Sequence, residues 1–221
     1  MQDIPRARMG PEIRPDRDQN LEEATLPARP FLPRLCAVVR EELHIGTLYR
    51  PDCCIAATAI LNEVLDYFKL TARPLSVIAT VFNPVMSERI EREGMPTLEE
   101  AERDWFPRGC HSLAVGAGDP EPGKWPGHLV TVLGGRVLID LTLDQANRPQ
   151  HGIVLPMPIL APCDPDFLAG QAWIAGIVGG CRVVYEARSG DRSFERSNDW
   201  RSRKRRADVV GAAIRLLKKE F

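Results

Sequence analysis

The chain has 221 residues, of which 44% are hydrophobic, enough to bury a core as one large domain or two small ones and too many for a disordered protein. A formal net charge of −1 and only 6% aromatic residues exclude a strongly basic nucleic-acid binder and a base-stacking platform. The longest apolar run, 153–163, carries three prolines and is far short of the ~20 residues that cross a bilayer.

Residues 1–33 hold six of the nineteen prolines, five basic and six acidic residues, and almost no apolar periodicity. Such a segment buries too little to offset its ordering entropy, so a flexible or wrapped proline-rich extension is expected. It has no hydrophobic signal core, so the chain reads as cytoplasmic and its six cysteines as reduced thiols. A domain over 34–190 and a tail over 191–221 are expected to follow. Leu32, Leu35, Val38, Val39 and Leu43 recur at helical spacing and predict a helix over 33–44, ending near Gly46.

Cys53 to Phe68 is the strongest helical signal, with Asp52 placed to accept the N–H groups of the first turn. Within it Cys54, Thr58, Leu61, Leu65 and Phe68 share one face. Residues 73–82 are β-branched and read as a strand. Residues 84–105 read as peripheral helix with a capping box at Thr97–Glu100, and 107–127 as a loop holding a short strand at Ser112–Val115. Leu129–Leu133 and Val137–Leu143 flank Gly134-Gly135 and predict a hairpin. A proline-studded extended stretch, a short helix over 165–174 and a strand at Cys181–Ala187 complete the domain.

The tail carries ten basic and five acidic residues, so a body of −6 is balanced by a tail of +5. Val210, Ile214, Leu217 and Phe221 line one face of a helix that is expected to dock on the domain. The run Arg203-Lys-Arg-Arg206 reads as a solvated face, so neither a nucleic-acid nor a membrane partner is expected.

Chemistry concentrates at Cys54. The unpaired N–H groups and dipole at a helix N-terminus favour a thiolate over a thiol. Cys54 faces inward with Leu61 and Leu65, whereas Cys53, about 100° round the helix, is the second candidate thiol. A nucleophilic thiol needs a base, and the base an orienting group. His44, His111 and His151 read as surface or loop residues. His128 opens the strand 128–133, and Asp140 sits in the apolar returning strand, where a carboxylate is costly unless hydrogen-bonded. A two-residue glycine turn sets these two on opposite faces. A three-residue loop over 133–135 pairs His128 directly with Asp140, so the pairing requires an odd-length loop.

Cys54 at a helix start, then Gly127-His-Leu-Val-Thr-Val and Leu138-Ile-Asp-Leu-Thr142, resemble the transglutaminase-like branch of the papain-like cysteine enzyme superfamily. That branch includes transglutaminase-like peptidases, arylamine N-acetyltransferases and the leader peptidases of lasso peptide biosynthesis. The likeness spans roughly residues 50–145. Leu129 replaces the Ala-Trp that follows the histidine in transglutaminases, and no Arg-Gly-Gly precedes the cysteine. The resemblance implies an α+β fold with N-terminal helices packed on an antiparallel sheet, and a Cys54-His128-Asp140 catalytic triad forming a thioester acyl-enzyme. It implies a hydrolase or thiol protease if water resolves that thioester, an acyltransferase if an amine does, and no cofactor. The substrate it implies is a peptide, protein or small acyl compound.

Gln145 is the candidate second oxyanion donor ahead of Asn62, and Trp125 the candidate cleft wall. A non-catalytic papain-like module that binds a peptide or protein is the competing reading. A metal centre from Cys110 and His111 with His128 or Cys163 lacks any Cys-x-x-Cys or His-Glu-x-x-His spacing.

Overall fold

A helical apolar repeat at residues 54–65 and a β-branched one at 72–82 adjoin in the sequence, and the fold packs the first on the sheet built around the second. The computed structural model describes residues 9–13, 31–46, 48, 53–117 and 125–221. Asp52, expected as the helix cap, and most of the proline-rich extension lie outside the described residues.

In chain order the elements are β1 (Met9–Ile13), α1 (Phe31–Ile45), α2 (Cys54–Tyr67), β2 (Ala72–Phe82), α3 (Pro84–Glu93), α4 (Leu98–Glu100), β3 (Ser112–Val115), β4 (His128–Leu133) and β5 (Val137–Asp140). They continue with β6 (Ile159–Pro162), α5 (Pro165–Leu168), β7 (Trp173–Val178), β8 (Cys181–Ala187), α6 (Asn198–Arg201) and α7 (Arg203–Glu220). The class is α+β. The strands form one sheet in the order β1-β7-β8-β2-β4-β5-β6, with β3 also on β2. Every pairing is antiparallel except β1 with β7. The sheet curls until β6 and β7 approach each other, a nearly closed barrel.

One sheet face packs on itself through Val77, Val81, Val130, Val132, Leu138, Val183 and Tyr185. The other is covered by α1, α2 and α7, whose Leu35, Leu61, Val64, Leu65 and Leu217 meet Leu133, Ile139 and Leu141. Strands β4 and β5 are therefore buried on both faces, which is why their sequences are nearly continuous apolar runs. Burying one such Leu or Val contributes ~1.5–3 kcal/mol.

The hairpin loop is odd, as the site requires, but lies one residue later than expected. Leu133 pairs with Val137 and Thr131 with Ile139, so the loop is Gly134-Gly135-Arg136. Both glycines take the left-handed φ that this turn demands, 56° and 68°. Continued, this register sets Asp140 across from Val130, so His128 is its diagonal neighbour on the same face rather than its direct partner.

Three other expectations are corrected. The helix expected over 165–174 stops at Leu168, and Trp173–Val178 forms strand β7, hidden in the sequence by the weak β-formers Ala175 and Gly176. The extension contains a strand, β1, and helix α1 begins at Phe31, inside the segment expected to end at 33. On α7 the deepest residues are Val209, Ala213 and Leu217; Val210 and Ile214 flank them, and Phe221 is 62% exposed with its ring against Phe31. Arg206, expected on a solvated face, is instead buried and donates to Glu63 at 2.6 Å, so the buried stripe runs Arg206, Val209, Ala213 and Leu217.

Candidate active site

Cys53 is the residue before α2 and Cys54 its first helical residue. At this end the first turn has N–H groups without intrahelical acceptors. Thr58, one turn on, donates its hydroxyl to the Leu129 carbonyl at 3.0 Å and ties the helix to the residue next to His128. Gly116 comes so close that a Cβ there would lie 2.8 Å from the His128 backbone nitrogen and 2.7 Å from the Val77 carbonyl, and its φ of 85° also requires glycine. The start of β4 is thus gripped from both sides.

His128 and Asp140 are wholly buried. The His128 Nε2–H donates to Asp140 Oδ2 at 2.7 Å, and the same oxygen accepts the Tyr185 hydroxyl at 3.0 Å. Asp140 Oδ1 accepts the Thr142 N–H at 2.9 Å. These three donors offset a burial that otherwise forbids the charge. Burial pushes the Asp140 carboxyl up, but the adjacent His128 and these donors outweigh it and hold the group below its ordinary value. Burial likewise pulls His128 down, yet the Asp140 charge and hydrogen bond, with a smaller contribution from the Cys54 side chain, raise it to about 10. Burial and the Asp140 charge drive the Tyr185 phenol well upward, so it stays a donor.

The other ring nitrogen, Nδ1, has the Gln145 side-chain amide at 3.0 Å. Gln145 lies in the single 3₁₀ turn Leu143–Ala146 that follows β5. Arg40 of α1 clamps this turn, donating to the Leu141 carbonyl and to Asp144 at 2.9 Å. With neutral imidazole the Gln145 amide donates to Nδ1. Once the ring carries both protons, Nδ1–H needs an acceptor.

The site residues expected from the sequence are thus brought together: Asp140 on one ring nitrogen of His128, Gln145 on the other, and Cys54 among the groups that raise the ring. Trp125 is half-buried in one apolar cluster with Cys54, Ile55, Leu129, Phe194 and Trp200. Its indole N–H donates to Asp191 Oδ2 at 3.3 Å, an oxygen that also accepts the Ser76 hydroxyl at 3.0 Å. Cys53 is buried beside Cys54. Asn62 makes no hydrogen bond to the ring, and its amide atoms are buried with no partner among the described residues. No two of the six cysteines form a disulfide. Among the described residues there is no group of three metal-ligating side chains, so Cys110, His111 and Cys163 do not assemble a centre with His128. The described residues also include no helix long and apolar enough to cross a membrane.

Sequence reasoning missed Tyr185 and Arg40. Tyr185 was findable: a phenol on the alternating buried face of Cys181–Ala187 needs a polar partner. Arg40 gave no signal, because its partners lie about a hundred residues away.

The chain matches no family model, no curated protein and no solved structure.

Proposed function

We propose that the protein is a cysteine-dependent acyl-transfer enzyme, a peptidase or amidase or a transglutaminase-like acyltransferase. The observation that carries this reading is His128, wholly buried, held by Asp140 through one ring nitrogen and shifted upward in part by Cys54. His128 takes the Cys54 proton, and the thiolate attacks an amide, ester or thioester carbonyl. The oxyanion is received by the free N–H groups at the start of α2, with the Gln145 amide turning from Nδ1 as the second donor. The imidazolium then protonates the leaving group. Water or an amine, deprotonated by His128, attacks the thioester and returns the thiol. Asp140 stays ionised throughout and orients the ring.

Iodoacetamide at pH 6 tests this, because an ordinary thiol near 8.5 is almost wholly protonated there. Alkylation is expected to be fast, to fall on Cys54, and to slow by on the order of tenfold or more in His128→Ala. Slow labelling that ignores this substitution would favour the second reading, a non-catalytic module binding a peptide or protein. The enclosure of the site favours that alternative: Cys54 is only 5% exposed and His128 not at all.

A further inference from the structure

The segment after β8 places an arginine-lined cleft beside the aromatic cluster that packs on Cys54. The single 3₁₀ turn Ser193–Arg196 buries Phe194 against Cys54, Ile55 and Leu129. Its neighbours Ser193, Glu195 and Arg196 face the opposite way, into an open cleft of about 610 Å³ completed by Gly190, Asp191, Arg192 and Arg201. Asp191 joins the two regions, holding Trp125 on one side and lining the cleft on the other.

The charges in this cleft are unequally occupied. Asp191 is consumed by Trp125, Ser76 and the Ser193 backbone and hydroxyl. Glu195 is held by Arg192 at 2.5 Å. Among the described residues Arg201 donates only its Nε–H, to the Glu195 carbonyl at 3.1 Å, and Arg196 has no ion-pair partner. Two guanidinium groups with unused planar donor edges therefore line a cleft whose own carboxylates are already engaged. A guanidinium edge fits a carboxylate through two parallel N–H donors.

We propose that this cleft is a substrate subsite that takes an acidic side chain, Glu or Asp, of a peptide whose reacting carbonyl lies at Cys54. The inference rests on the acyl-transfer reading and supplies its substrate class. A peptide fits better than an extended polyanion because the arginines line a concavity and alternate with Asp191 and Glu195, and because the chain as a whole is near neutral.

The test uses the full chain carrying Cys54→Ala, so that it reads binding and not turnover. Fluorescence anisotropy compares a labelled hexapeptide of Glu and Gly with its Gln and Gly counterpart at low salt. The Glu peptide is expected to bind about tenfold more tightly. Arg196→Gln and Arg201→Gln should each weaken it roughly two- to fivefold and together erase the preference, as exposed ion pairs contribute. Arg215→Gln, an exposed arginine of α7 outside the cleft, should leave it unchanged. Equal affinity for the two peptides, or an equal loss in Arg215→Gln, overturns the proposal. So does a thymidine oligonucleotide that binds as tightly as the Glu peptide and is lost in the same variants. Since no thiol chemistry is read, failure here leaves the alkylation result standing, and failed alkylation leaves this result standing.

Discussion

Asp140 has two carboxylate oxygens, no access to water and three donors, and that balance sets the behaviour of its neighbours. Tyr185→Phe removes one donor while keeping the ring volume. A charged acceptor then loses a hydrogen bond where no water replaces it, and the unfolding free energy should drop by about 1–3 kcal/mol. Urea midpoints of the two proteins measure this, and an unchanged midpoint would show that the phenol contributes packing alone. The aspartate and histidine were legible in the sequence because a carboxylate inside an apolar strand demands a partner and a histidine lay on the adjacent strand. The tyrosine sits 45 residues beyond Asp140, and only the sheet order that places β8 two strands from β4 brings it within reach.

At the scale of elements, the site depends on how one helix end is fixed against one strand end. Thr58 makes that tie through a single hydroxyl, in a helix whose Ala57, Ile60, Leu61, Val64 and Leu65 make apolar contacts. Thr58→Val keeps the shape and deletes the bond. Stability should fall by ~0.5–1.5 kcal/mol, and Cys54 alkylation at pH 6 should slow severalfold as the thiol drifts from His128. A stability loss with undiminished alkylation would mean that apolar packing alone sets the helix position. Helix α2, strand β8 and both arms of the hairpin were readable because periodicity and turn glycines are local properties. Strand β7 was not, since its Ala and Gly residues earn their place only by pairing with β8 through a second glycine turn. The hairpin loop was one residue out for a related reason: Gly134 and Gly135 both accept a left-handed φ, so local sequence did not decide which residues the loop contains.

At the scale of the whole molecule, the buried pair makes stability depend on pH. His128 is raised from 6.5 to about 10, so its contribution is complete below pH 6.5 and is lost as pH climbs toward 10. Asp140 is lowered from 3.8, so its contribution is present above that value and is lost as pH falls below it. The pair therefore stabilises most between about pH 4 and 6.5. The gap in unfolding free energy between the wild type and Asp140→Asn should be widest there and narrower at pH 9, by urea titration at pH 5, 7 and 9. A gap that widens toward alkaline pH would contradict a charged pair. By itself the sequence determined the α+β class, most of the elements and the candidate trio Cys54, His128 and Asp140, because each rests on short-range pattern or on the cost of burying a charge. Only the tertiary structure decided that Asp140 also needs Tyr185, that Arg40 braces the turn carrying Gln145, and that Arg196 and Arg201 share a cleft beside the thiol's aromatic cover. Those contacts join residues far apart in the chain, and which of them form depends on the curl and order of the sheet, which no local pattern encodes.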